Sequence, residues 1–228
     1  MRPAQLTEPR VAPSILSADF AALGAQVAEV LAAGARVIHV DVMDGHFVPP
    51  ITMGPLVVSA LREQVSASGA LLDVHLMIER PERQIADFAK AGADIITVHA
   101  EATPHLDYVL AEIRGAGVAA GLAVCPSTPL AVFAELTAAI DLALCMSVNP
   151  GWGGQRFIEA SIGKLERLAL ALADGVALEV DGGIASGTAE RCRAAGAGVF
   201  VAGSAIFAGK DPAGAYVALA EAVGDPRR

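Results

Sequence analysis

A recurring phrase limits the fold of this chain more than any other feature. "AAGARVIHVDVM" (32–43), "KAGADIITVHA" (90–100) and "AAGAGVFVAGS" (194–204) each set Ala-Gly-Ala before an apolar run. Ala-Gly marks the end of a helix, with glycine in the left-handed position that closes it. An apolar run without polar alternation is a strand buried on both faces, as in a parallel sheet. The repeating unit is helix, tight turn, strand.

Extending this pattern gives eight strands, at 11–16, 37–43, 71–77, 95–100, 119–124, 142–148, 177–183 and 199–203, with helical stretches between them. "FAALGAQVAEVLAAG" spaces its apolar residues by three and four, with Asp19 as its candidate cap. "PERQIADFAKAG" puts Pro81 in a first turn, and "SGTAERCRAAG" opens on Ser186 as a cap. Strict alternation yields an all-parallel sheet, and eight units in 228 residues fit an α/β fold of the (β/α)8 barrel type in a single domain. A doubly wound open sheet is the competitor, but it wants a Gly-rich turn where "SADFAAL" stands. Residues 1–9 and 224–228 read as loose ends.

Apolar residues make up 54% of the chain, ample for a core. A net charge of −9 with 16 scattered basic residues argues against a nucleic-acid surface. No apolar run approaches the roughly 20 residues that span a bilayer, and "MRPAQLTEPR" lacks the apolar core of a secretory signal. Cys125, Cys145 and Cys192 are odd in number and lack metal-type spacing, which reads as reduced thiols in a cytoplasmic protein.

In such a barrel the site lies at the C-terminal ends of the strands. The first strand ends with Ser14, the second with His39, Asp41, Met43 and then Asp44. The third carries His75 and Met77, the fourth His99 and Glu101, the sixth Met146 and Asn149, and the seventh Asp181. His39, Asp41 and Met43 share one strand face. A lone strand histidine is more often a hydrogen-bonded core residue than a ligand. Burying His39, Asp41, His75 and Asp181 together, however, is costly without a shared cation or proton. Imidazoles and carboxylates without thiolates suit one divalent ion, Zn²⁺ first, with Fe²⁺, Mn²⁺ or Co²⁺ as alternatives. Met43, Met77 and Met146 are either gap-filling core or an apolar cover over a reacting centre. Asp44 is out of phase with Asp41 and His46 lies past the strand, so both are assigned to loop structure.

Three glycine loops follow the last three strands: "NPGWGGQRF" (149–157), "DGGIASG" and "AGSAIF". Backbone N–H groups at glycine turns and helix starts bind anions, and barrels commonly build a phosphate site after strands seven and eight. Gly182, Gly183, Gly203 and Ser204 occupy that place, with Ser204 as the cap of a short helix. Gly151, Gly153 and Gly154 close the cradle from the neighbouring loop.

The segments "APSILSADFAALG", "HVDVMDGHFVPPITMGP", "DVHLMIERPE", "MSVNPGWGGQRF", "LEVDGGI" and "VAGSAIF" follow in order over nearly the whole chain. Together they resemble the ribulose-phosphate 3-epimerase family. The resemblance implies a (β/α)8 barrel that interconverts D-ribulose 5-phosphate and D-xylulose 5-phosphate. That reaction belongs to the pentose phosphate pathway and, where present, the Calvin cycle. It implies a cytoplasmic homo-oligomer, a dimer or hexamer. It places His39, Asp41, His75 and Asp181 at the metal and makes Asp41 and Asp181 the acid/base pair. Ser14, His75 and Asp181 become substrate contacts, Met43, Met77 and Met146 lie over the reacting carbons, and the glycine loops with Ser204 hold the phosphate. The family often has Asn where Pro50 stands and Phe where Met53 and Trp152 stand.

Epimerisation at C3 removes a proton beside a carbonyl and returns one on the other face, work that suits two carboxylates on opposite walls. An epimerase for a related ketose phosphate, such as D-allulose 6-phosphate, remains an alternative. Hexulose-phosphate synthase and orotidine-phosphate decarboxylase chemistry is disfavoured because "HVDVMDG" holds no Lys. A barrel that only binds ligands is disfavoured because it needs no paired acids.

Overall fold

A computed structural model of the chain describes residue 6 and residues 8–227. Its strands are β1 (Arg10–Pro13), β2 (Val37–Met43), β3 (Leu71–Met77), β4 (Ile95–His99), β5 (Ala119–Val124), β6 (Leu142–Met146), β7 (Ala177–Asp181) and β8 (Val199–Ala202). They form one parallel sheet in the order β1-β8-β7-β6-β5-β4-β3-β2. A parallel bridge between Ser14 and His39 brings β1 back against β2. This is the expected (β/α)8 barrel. The first strand ends earlier than its apolar run because Ile15–Ser17 winds into a 3-10 turn, whose Leu16 N–H is accepted by Ser14 Oγ.

The helices are α1 (Leu23–Ala32), α2 (Pro55–Ala67), α3 (Ile85–Ala91), α4 (Leu106–Gly115), α5 (Ser161–Ala171), α6 (Ser186–Ala194), α7 (Ser204–Phe207) and α8 (Pro212–Val223). The glycines of the repeated phrase, Gly34, Gly92 and Gly196, all sit at positive φ just past a helix, as closing positions require. Between β5 and β6 no α-helix forms; 3-10 turns at Leu130–Phe133 and Thr137–Ala139 cover the strand instead.

Three expected caps are displaced. Asp19 precedes α1 by four residues and accepts from Ala21 N–H, while Ala22 takes the cap position without a side-chain bond. Ser186 and Ser204 are first helical residues, with Ala185 and Gly203 before them. At α6 it is Thr188 Oγ1 that accepts from the Ala185 N–H.

Two apolar layers result from the strand alternation. Ile38, Val40 and Val42 face outward into the large cluster shared with the helices, whereas Val37 joins the cluster inside the barrel. Fully burying each such side chain is worth about 1.5–3 kcal/mol. The interior is not purely apolar: His39, Asp73, His75, Thr97, His99 and Glu179 are all fully buried there. Of the expected loose ends, residues 1–5, 7 and 228 lie outside the described residues. The segment just past α8 is anchored rather than loose. Asp225 is buried and accepts from Arg10 Nη1 and Val11 N at 2.9 Å each, and from the Tyr216 hydroxyl at 3.1 Å.

Candidate active site

The β2–β3 ladder sets His39 beside Asp73 and Asp41 beside His75. Side chains two apart on a strand share a face, so all four point into the barrel. Asp181 reaches the same space from the end of β7. His75 Nδ1 lies 3.2 Å from Asp41 Oδ1 and 3.9 Å from Asp181 Oδ2, and His39 Nε2 lies 3.4 Å from Asp41 Oδ1. One donor atom from each of His39, Asp41, His75 and Asp181 falls within 4.8 Å of the others. The four expected ligands are thus brought together.

The site passes a test of fit for a divalent cation. His39 Nδ1 is paired with Asp73 Oδ2 at 2.6 Å, while its buried Nε2 has no hydrogen-bond partner and faces Asp41. A cation there takes the place of the Nε2 proton, with Asp73 orienting the ring from behind. Burial pushes the His75 imidazole down to about 4, with the nearby His99 adding to the effect against Asp41, so it is neutral as a ligand must be. Burial also works against a charged His39, but the Asp41 and Asp73 carboxylates outweigh it and hold its pKa up.

The two aspartates are driven apart. Burial would raise Asp41, yet the nearby His39 imidazole and the contact with His75 bring it well below the usual carboxylate range. Ser14 Oγ adds a donated hydrogen bond to Asp41 Oδ2 at 2.5 Å. Burial and the charge of Asp41 lift Asp181 to about 7. Two neighbouring acids whose pKa values are pushed apart are the division of labour that acid/base chemistry uses.

Above this floor opens a pocket. Ser14, Met43, Met77, Met146, both aspartates and the glycine loops line it, from Gly151, Gly153 and Gly154 through Gly182 and Gly183 to Gly203 and Ser204. Met43 and Met77 pack with Val48 against half-buried Leu16 and Phe47, and Met146 belongs to the barrel interior. Gly183 has φ +66°, and a Cβ there would lie 2.7 Å from the Phe157 backbone nitrogen. Gly203 lies so close to Ser17 that a Cβ would meet its Oγ at 2.6 Å. Gln155 Nε2 pins the first loop by donating to the carbonyls of Asn149 and Trp152, at 2.6 and 3.0 Å. Trp152 stands exposed at the rim, while Met53 is buried against the outer core.

Asp44 turns away from the site. Its carboxylate accepts from the N–H groups of His46, Phe47 and Glu79, shaping the loop. Three residues absent from the expected site belong to it or support it: Asp73, Glu179 and Ser17. Glu179 is fully buried, 3.8 Å from His39 Nδ1, with burial and Asp73 pushing its pKa up. Asp73 and Glu179 each stand two residues before a ligand on the same strand, the same step that marked His39 and Asp41.

The ribulose-phosphate 3 epimerase family matches residues 10–207. Ribulose-phosphate 3-epimerase of Bacillus subtilis (strain 168) is 50% identical over 207 residues, covering 89% of this chain and 94% of that protein. The enzyme of the same name from Escherichia coli (strain K12) is 48% identical over 200 residues, covering 86% and 88%. Among solved structures, orotidine 5'-phosphate decarboxylase from Pyrococcus horikoshii OT3 superposes with a TM-score of 0.66 at 18% identity, covering 94% of this chain and 99% of that one. The last likeness is one of fold alone.

Proposed function

This chain belongs to the ribulose-phosphate 3-epimerase family, and on that premise we propose how its barrel mouth moves a proton at C3 of the sugar phosphate. It is an isomerase that interconverts D-ribulose 5-phosphate and D-xylulose 5-phosphate; its relatives favour this pentulose over the hexulose alternative. The observation that carries the mechanism is that Asp41 and Asp181, from different strands, meet beside His75 Nδ1 at 3.2 and 3.9 Å and line one pocket.

Asp41, ionised and held by Ser14, takes the C3 proton from one face of the substrate. Asp181, protonated, delivers a proton to the other face of the planar enediolate, and the roles exchange in the reverse direction. His39, Asp41, His75 and Asp181 would hold a divalent ion, which would supply positive charge to the developing oxyanion. Met43, Met77 and Met146 exclude water without offering a competing acid. Backbone N–H groups of the loops at Gly151–Gly154, Gly182–Gly183 and Gly203–Ser204 hold the phosphate and fix C3 between the two acids.

The ligand set favours Zn²⁺, while Fe²⁺, Mn²⁺ and Co²⁺ accept the same donors. Metal analysis of protein purified without chelators decides among them. A cytoplasmic homo-oligomer is proposed on the family resemblance, with sedimentation as its test. Turnover in D₂O tests the proton path: deuterium at C3 of both epimers is expected from the native enzyme. Direct transfer without solvent deuterium would overturn the two-acid scheme.

A further inference from the structure

His99 and Glu101 close the fourth strand, and the reaction above uses neither. His99 is fully buried. Its Nε2 lies 2.8 Å from Nε2 of His75, and its Nδ1 lies 3.1 Å from Oε2 of Glu101. The two imidazoles stack with centroids 5.0 Å apart, and the Phe47 ring covers His99 at 4.9 Å. Glu101 is anchored in turn. Its Oε1 accepts from the Cys125 N–H at 2.8 Å and from the Thr128 hydroxyl. Partial burial opposes its charge, yet bonds from His99, Thr128 and Cys125 bring its pKa down to about 2.

The chain has a carboxylate at each end, Glu101 at His99 Nδ1 and Asp41 at His75 Nδ1, so an ion held at His75 Nδ1 decides its polarity. Nδ1 then carries no hydrogen, and the neutral His75 keeps one on Nε2. His99 Nε2, 2.8 Å away, accepts it only when His99 carries its own hydrogen on Nδ1, the atom that Glu101 accepts from. We propose that Glu101 and His99 are positioning residues that support this tautomer of His75 and so present its Nδ1 to the divalent ion. The inference rests on reading His75 as a metal ligand. It gives the site two differently built supports: Asp73 sets His39 directly, and Glu101 sets His75 through a second imidazole.

His99, Glu101 and Cys125 also bring N, O and S donors within 4.8 Å, the makings of a second cation site. Two features speak against that use. Both Glu101 oxygens already accept hydrogen bonds, and burial together with the Glu101 charge pushes the Cys125 thiol up to about 12.

Two measurements test the proposal. In ¹⁵N NMR of Zn²⁺-loaded protein with labelled histidine, His99 is expected to carry its hydrogen on Nδ1 and His75 on Nε2. Glu101→Ala should mix the His99 tautomers, whereas Glu101→Gln, whose amide oxygen still accepts, should keep the native form. In Co²⁺ titrations against a competing chelator, His99→Leu should bind about 10- to 100-fold more weakly. Glu101→Ala is the second variant should His99→Leu fail to fold. The proposal is overturned by a hydrogen on Nε2 of His99 in the Zn²⁺-loaded native protein, or by native Co²⁺ affinity in Glu101→Ala. It is also overturned by a second Co²⁺ with thiolate absorption that Cys125→Ser removes. Neither readout needs substrate. A native protein with the expected tautomer and affinity but no epimerase turnover would refute the reaction and leave this inference standing.

Discussion

Asp41 and Asp181 stand on β2 and β7, strands separated in the sheet by β1 and β8, yet both approach one atom, His75 Nδ1, at 3.2 and 3.9 Å. Only a closed barrel lets side chains from non-neighbouring strands meet in this way. The shared imidazole keeps both acids at the floor of one pocket, where Asp41 is held below the usual carboxylate range and Asp181 is lifted to about 7.

Replacing either acid should stop the reaction without unfolding the barrel. Asp41→Asn and Asp181→Asn keep shape and lose the proton-transfer group, so kcat is expected to fall by at least about 10²–10⁴. A coupled assay on D-ribulose 5-phosphate, with circular dichroism as the check on folding, measures this. Near-native turnover in either variant would remove that residue from the proton path.

The raised pKa of Asp181 carries a stability consequence in chelated protein. A carboxyl whose folded pKa is about 7 against an ordinary 3.8 holds a proton in the folded state that the unfolded chain has released. Its contribution is complete below the unfolded value and is lost as pH rises through about 7. Asp181→Asn, which mimics the protonated acid, should therefore gain stability over the native chain as pH rises from 4 to 8. Urea midpoints with chelator present measure the gap, and a gap independent of pH would contradict the assignment.

The sequence made the barrel legible because each strand is mostly apolar on both faces and each repeated glycine marks a helix end. The ligands were legible for a related reason: a His or Asp inside such a run has no solvent to face. Asp73 and Glu179 obey the same logic and went unassigned, because they lie deeper than the strand ends where chemistry is sought. Their roles depend on contacts across strands, His39 to Asp73 at 2.6 Å and to Glu179 at 3.8 Å, which spacing along one strand does not reveal. The relay from Glu101 through His99 was hidden likewise, since ring-nitrogen polarity follows from three-dimensional partners. The helix caps were misplaced by one to three residues because Ser and Asp near a helix start compete for several backbone donors.

Gly203→Ala tests the phosphate cradle separately from the chemistry. A methyl group there would lie 2.6 Å from Ser17 Oγ. The hydroxyl must move and crowd the loop that faces the phosphate. KM for the phosphorylated substrate is expected to rise about 10-fold or more, with metal affinity unchanged. An unaltered KM would place the phosphate elsewhere on the rim.

The C-terminal anchor offers a purely structural test. Asp225 lies 215 residues from Arg10, yet their side chains meet at 2.9 Å in a buried pair that also gathers the Val11 N–H and the Tyr216 hydroxyl. This pair ties the end of the chain to β1, beside the place where the barrel closes. Asp225→Ala removes the buried carboxylate from Arg10, which keeps its contact with the partly exposed Glu8 at 3.2 Å. The loss should therefore reach at most about 3–5 kcal/mol, the figure for a fully broken buried pair. The double variant Arg10→Met/Asp225→Leu removes both charges and should recover only the part due to the buried charge, because the Val11 N–H and the Tyr216 hydroxyl still lose their acceptor. Denaturant unfolding of chelated protein, where metal binding does not mask the change, measures both. A loss below about 1 kcal/mol, the range of an exposed ion pair, would show that the terminus contributes no more than a surface contact.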